Sequence, residues 1–452
     1  MTEFEGRRAY RHIEALSVEI GARVSGTEEE QRAMEYVKQE FESYGLQPNV
    51  LSFDMQNEKA VSCQLEVLEP HSEAIRTLPL VGTPDTPPDG ISAEVVFAEY
   101  AREPYVGPHV TGKIVVLVNG GFLGRGLAPL LKYKPAGLLL VRHTLGEEPN
   151  TFHVIRKQSN GPYDLIPTLH ISYADALRLW NMPVKRARMQ LSTQREQGKS
   201  SAVYAEVTGS TYPDEIVVIG GHVDSVPSDP GATDNAAGVA TVLELARLYA
   251  RRRPLRTLRF AAWGSEEGSG GGSLKYVLEL KKLHKQQQAA PDYIPGFSKT
   301  DLEKHLLNVN LDVLGMTLGN NACFYQGPEA LGNYVHALTS ELGLFHTMKT
   351  KVYGSDNISF AWAGIPAVSF AREGVGAEYM HTPLDDISLI DSQQLEVIGR
   401  MIDVFLTRTA AEGLVWPFER RVPEVPAEEK SMLDAILREV VELMGEDPDL
   451  MD

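Results

Sequence analysis

Beyond Ala202 the chain alternates short, continuous apolar runs with helical patterns, and this alternation restricts the fold more than any other feature. The runs are "EIVVIGG", "TLRFAAWG", "LLNVNLDVLG" and "PAVSFA", and between the first two lies "NAAGVATVLELARLYARR". Strands apolar on both faces must be covered on both faces, so the expected class is α/β: a mostly parallel central sheet flanked by helices. From Arg8 to Leu46 two helices are expected, with Ser25 or Thr27 capping the second. From about Ile91 to Leu191, β-rich runs such as "KIVVLVNG" and "AGLLLVRH", separated by Gly and Pro, read as a distinct inserted module. The 452 residues then divide into the N-terminal part of the main domain (1–85), a β-rich insert (86–195), the main domain proper (196–413), and a linker with a C-terminal amphipathic helix (414–452). That last helix, "SMLDAILREVVELM", is expected to pack on the domain or to make a homo-oligomer contact.

Charge narrows the partners. With 43 Lys+Arg against 61 Asp+Glu the net charge is −18, which argues against nucleic acid or an anionic membrane as a partner. No run approaches a membrane span, and the charged opening "MTEFEGRRAYRHIEAL" lacks the apolar stretch of a signal peptide, so a cytoplasmic location is expected. Cys63 and Cys323 form no CxxC or Cys/His pattern and are expected to be buried, reduced thiols.

Charged residues gather where the apolar runs end, at the sheet edge where open α/β folds bind ligands. His222 and Asp224 close the first run, and the aspartate is spaced to fix the tautomer of the imidazole. Asp234 and Asn235 stand together where a helix begins; one can cap it, which leaves the other free as an oxygen ligand. Glu266 and Glu267 follow Trp263, and beside a cation one serves as a ligand while the other accepts a proton from water. Asp312 is a single charge inside an apolar pattern, expensive to bury without a partner. His381 follows "PAVSFA", with Asp385 and Asp386 nearby. "GSGGG" lacks the Lys-Ser/Thr of a phosphate loop and reads as a flexible turn. Two imidazoles, three carboxylates and a spare glutamate suit two cations with open positions for water, the equipment of a two-metal hydrolase.

In their order, "GGHVDS", "GATDNAAGVA", "FAAWGSEEG", "NLDVLG", "SDNISFAWAGIPAVSF" and "HTPLDD" resemble the motifs of the di-zinc aminopeptidase family, whose relatives include glutamate carboxypeptidases and single-zinc glutaminyl cyclases. The resemblance extends over the N-terminal helices and roughly Val203 to Thr409, and the β-rich module is similar to a protease-associated insert. It implies two zinc ions per subunit, with cobalt or manganese as alternatives: His222 and Asp312 on one, Glu267 and His381 on the other, and Asp234 bridging. Glu266 would be the general base and Asp224 the residue orienting His222. Family members often place an oxyanion-stabilising tyrosine near the last histidine; here Met380 precedes His381 and Tyr379 is the nearest candidate. Arg372 is the candidate to receive a substrate carboxylate. The function implied is a metal-dependent exopeptidase, an aminopeptidase acting on peptides through a two-zinc-activated hydroxide. A carboxypeptidase or dipeptidase on the same core is the alternative, and a catalytically silent binding protein a more distant one.

Overall fold

The apolar runs form one sheet in this computed structural model, which describes residues 3–119, 127–141, 146, 148–149, 152–153, 164–269, 271–350, 354–424, 427–447 and 450. Two long strands, β1 (Asn49–Glu69) and β2 (Arg186–Val207), pair antiparallel along almost their whole length. They are followed by β3 (Tyr212–His222), β4 (Arg256–Trp263), β5 (His305–Leu311), β6 (Asn320–Gln326), β7 (Thr347–Lys349) and β8 (Ala367–Glu373). The order across the main domain is β7-β6-β8-β5-β3-β4-β2. At its centre β4, β3, β5 and β8 are parallel, whereas β2 and β6 run antiparallel to their central neighbours.

Every residue of β5 is buried, as a strand covered on both faces requires. One face presents Val217, Ile219, Leu258, Phe260, Leu307 and Val309 to a core shared with helices α1 (Gly6–Ile13), α2 (Glu28–Ser43) and α3 (Ala237–Tyr249). All of α3 is buried, its apolar residues filling most of its surface and its two charged residues, Glu244 and Arg247, paired with each other at 2.7 Å. The other face sets Val218, Ala261 and Trp263 against Tyr276 and Val277 of α4 (Gly271–Gln288) and Phe360 of α5 (Asn357–Trp362). The helix α6 (Ser392–Leu406) returns to the first face.

Register brings the functional edge together. His222 pairs with Trp263 across β3 and β4, and Gly220 pairs with Asn310 across β3 and β5. His222, Asp312 and the loop after Trp263 therefore leave the sheet side by side.

Beyond β2 the sheet continues through Ile91–Tyr100, Ile114–Asn119, Gly137–Val141 and Thr168–Ile171, which enclose two apolar clusters of their own. Leu65 and Val67, from the end of β1, pack in the first of these together with Ile75. At the other end of the chain, α7 (Ala427–Leu443) buries Leu437, Val440 and Val441 against Phe53, Leu274 and Leu278. Glu446 beyond it pairs with Lys275 and, at 2.6 Å, with Lys282. The apolar face of this helix is thus used within its own chain. Among the described residues no helix is long and apolar enough to cross a membrane. Cys323 is buried and Cys63 half-buried, and neither is in a disulfide.

Candidate metal centre

His222 ends β3 and Asp312 is the first residue beyond β5; both are buried. His222 Nε2 lies 3.3 Å from Asp312 Oδ1 and 3.1 Å from Asp234 Oδ1. The second oxygen of Asp234 lies 3.2 Å from His381 Nε2, which in turn is 3.1 Å from Glu267 Oε1. Asp234 therefore stands between two imidazoles with one oxygen toward each. Each Nε2 faces two carboxylate oxygens, and a ring nitrogen carries at most one proton. Asp312 Oδ1 is buried and accepts no hydrogen bond. A cation at each histidine would satisfy these oxygens together, and a set of imidazole and carboxylate donors suits zinc.

The electrostatics agree with a site built to receive positive charge. Burial alone would lower the imidazoles, but Asp234 and Asp312 around His222, and Glu267 and Asp234 around His381, hold both well above the usual histidine range. Burial would raise Asp234, yet its bonds to the two histidines hold it below the usual carboxylate range. Glu266 is pushed well up by burial and by the negative charges of Glu267, Asp356 and Asp312, against the opposing charge of His222. His222, Asp234 and Glu267 can each offer a ligand atom within 4.8 Å of the others.

The local fold explains how Asp234 is released for this position. Asn235 Oδ1 accepts from the Gly238 amide at 3.0 Å, and its Nδ2 donates to the Leu311 carbonyl at 2.8 Å. Asn235 thus serves the helix start and leaves the neighbouring aspartate free. Asp385 fixes the same loop by accepting from the Thr233 amide at 2.9 Å, the Thr233 hydroxyl at 2.7 Å and the Asp234 amide at 3.0 Å. Asp229 accepts from the His381 amide at 2.8 Å and the Gly231 amide at 2.7 Å, tying the loop to the turn that carries the second histidine. Ser228, Ser265, Val313 and His381 all have positive φ, four of the five non-glycine residues that do so among those described. Such strain persists only where surrounding contacts over-determine the backbone, and here it collects around one site.

Two expectations change in detail. His222 Nδ1 lies 3.1 Å from the main-chain carbonyl of Asp224 and 3.7 Å from its carboxylate, so the hydrogen bond that orients the ring is made by the backbone. The carboxylate instead accepts the Glu266 and Glu267 amides, each at 3.0 Å. "GSGGG" is not an open turn: Glu266–Ser269 is helical and α4 starts at Gly271, while Gly270 lies outside the described residues. A Cβ at Gly272 would come 2.7 Å from the Gly264 carbonyl, so close packing, rather than flexibility, requires glycine there.

Tyr379 ends the short helical turn before His381; its carbonyl accepts from the Thr382 hydroxyl at 2.6 Å. Among the described residues its phenol has no hydrogen bond to the five ligand candidates. Arg372, near the end of β8, donates to Asn321 Oδ1 at 2.7 Å and the Thr317 carbonyl at 3.4 Å, which engages it with β6 and the segment before it. Sequence reasoning missed Arg23, fully buried, which donates to the carbonyls of Val223 at 2.7 Å, Pro230 at 2.6 Å and Gly231 at 2.9 Å. No local pattern announces these three contacts, because their acceptors are some two hundred positions away.

Residues 202–406, a span holding all seven candidate metal-site residues, match the family model described as peptidase family M28. That segment belongs to peptidase family M28. The chain is 29% identical to carboxypeptidase Q of Bos taurus over 305 residues, 62% of this chain and 61% of that protein, so it spans less than two thirds of that relative. It is 24% identical to aminopeptidase YwaD of Bacillus subtilis (strain 168) over 409 residues, 88% of this chain and 84% of that one. The solved zinc aminopeptidase BSAP from Bacillus subtilis superposes with a TM-score of 0.71 at 22% identity, covering 93% of this chain and 100% of that structure. The fold in which the M28 domain sits is thus shared along nearly the whole chain.

Proposed function

We propose that the chain is a zinc-dependent exopeptidase, an aminopeptidase that releases N-terminal residues from peptides. In this reading it holds two ions, His222 and Asp312 at one, Glu267 and His381 at the other, and Asp234 at both. The observation that carries the reading is the position of Asp234, one oxygen 3.1 Å from His222 and the other 3.2 Å from His381.

When bound, such a pair of cations supplies Lewis acidity, which acidifies a water and polarises the scissile carbonyl. The chain's own residues do the rest. Glu266 is the carboxylate left over once the ligands are counted; it accepts the proton of the attacking water and returns it to the leaving amine. Asp224, by accepting the amides of Glu266 and Glu267, keeps the two neighbours in distinct roles. Aminopeptidase activity is supported by the likeness to YwaD over 88% of the chain, against 62% for carboxypeptidase Q. The engagement of Arg372 with Asn321 further supports it, since that arginine is the candidate to receive a substrate carboxylate. The higher identity to carboxypeptidase Q, 29%, favours carboxypeptidase action as the second reading.

Mass spectrometry of an unblocked tetrapeptide incubated with the zinc-loaded protein decides between them. Shortening from the N-terminus is expected; shortening from the C-terminus would establish the second reading. Glu266→Gln should retain zinc while turnover falls by about 10²- to 10⁴-fold, the usual contribution of a general base. Turnover at the wild-type rate would remove Glu266 from that role.

A further inference from the structure

The turn that presents Glu266 and Glu267 is gripped from the far end of the chain. Three successive amides donate into buried carboxylates: Ser265 to Glu30 Oε1, Glu266 to Asp224 Oδ1 and Glu267 to Asp224 Oδ2, each at 3.0 Å. Glu30 Oε1 also accepts from the Ser200 hydroxyl at 2.7 Å, and Glu30 Oε2 from the Gly26 amide at 2.6 Å. Ser25 completes the grip by donating to Asp224 Oδ2 at 2.8 Å.

Thr27 and Glu30 have the spacing of a capping box, in which the glutamate would serve only its own helix. The structure keeps half of that motif. Thr27 caps α2 by accepting from the Glu30 amide, while the Glu30 carboxylate reaches across to Ser200 and Ser265. The residue is 1% exposed, and burying a carboxylate merely to cap a helix would be a poor exchange for the lost hydration. Burial and the charge of Asp224 push its carboxyl up to about 8, so its place is held against an electrostatic cost. Ser265 itself has φ of 62°, a left-handed conformation that a serine keeps only under external constraint.

We propose that Glu30 is a positioning residue of the metal centre, fixing the left-handed turn at Ser265 so that Glu267 meets His381 and Asp234 while Glu266 stays beside it. The inference rests on the proposed reading of that centre as a metal site.

Zinc affinity of the full-length protein, measured by competition with a chromophoric chelator, tests it alongside kcat, KM and thermal unfolding. Glu30→Gln preserves volume and replaces one acceptor by a donor; Glu30→Ala removes both acceptors. Affinity is expected to fall by about tenfold in the first and about a hundredfold in the second, the range for groups that orient metal ligands. kcat should fall and KM change little. Leu338→Ala, a buried position in the main core, supplies the comparison: it should lower the unfolding temperature and leave zinc affinity as in wild type. If the alanine variant does not fold, the glutamine variant decides alone. Wild-type affinity and kcat in Glu30→Gln would overturn the proposal, as would equal losses of affinity in a Glu30 variant and Leu338→Ala at matched destabilisation. Zinc uptake by wild type without peptide cleavage would overturn only the exopeptidase reading, whereas no zinc uptake would overturn the metal site and this inference together.

Discussion

Single residues outside the centre contribute to how the protein meets acid. His305, at the start of β5, is held between the Tyr276 hydroxyl and the Asp301 carbonyl, each at 2.7 Å. Burial, with the nearby charges of Arg259 and Arg420, lowers its imidazole from 6.5 to about 3. On acidification the unfolded chain takes up this proton first, so stability falls as pH drops through 6.5 and the loss is complete only near 3. His12, lowered to about 4 by burial and by Arg11, Arg8 and Arg247, adds a loss of the same sign. His305→Gln should flatten the dependence of unfolding temperature on pH between about 6.5 and 4; an unchanged slope would assign the acid response elsewhere. The same scale shows what could be read in advance. His222 and Asp312 were legible because each interrupts or ends an apolar run, where a charge needs a reason. Glu30 was not, because its spacing from Thr27 already had a sufficient local explanation.

At the level of elements, the C-terminal helix contributes to stability through what it covers. It lies over Leu274 and Leu278 of α4, the helix that starts just after Glu266 and Glu267, and Ile358 and Trp362 of α5 pack against the same cluster. Leu278→Ala should cost about 2–5 kcal/mol, as large-to-small changes in a packed core do. A shift in the denaturation midpoint would measure it, with zinc affinity expected to stay within twofold of wild type. Removing residues 427–452 should go further by exposing Phe53, Leu274 and Leu278, seen as binding of a hydrophobic dye and a lower unfolding temperature. The helix itself was legible from its periodicity, but its partner was not, since an apolar stripe states that a face is buried without stating against what. "GSGGG" failed for a related reason: glycine permits both a loose turn and a close approach, and only the backbone of Gly264 decides between them.

For the whole molecule, metal and stability should be linked. The chain carries a net charge of −18 and places Asp224, Asp234, Asp312 and Asp356 in buried positions around the centre. Stripping the metal with a chelator should lower the unfolding temperature, and zinc should restore it; at a thousandfold excess over Kd a bound ion contributes about 4 kcal/mol. Elemental analysis of the restored protein should return two zinc ions per chain, and a value of one would overturn the paired site. The α/β class was legible at this scale because the apolar runs required cover on both faces. The antiparallel β1 and β2, the first half-exposed and charged, lacked that signature.

The long-range contacts of Arg23 and Glu30 also bear on biosynthesis. Contacts around the centre span from Arg23 to Asp385, and the histidine at position 381 is among the last of its parts to be translated. A ribosome-bound chain that has emerged only through β5 holds Asp234 and Glu267 but lacks half of the imidazole pair. On the proposed reading, the complete set of metal ligands would come together only after nearly the whole domain has been made and folded, so an unfinished chain would lack a complete centre.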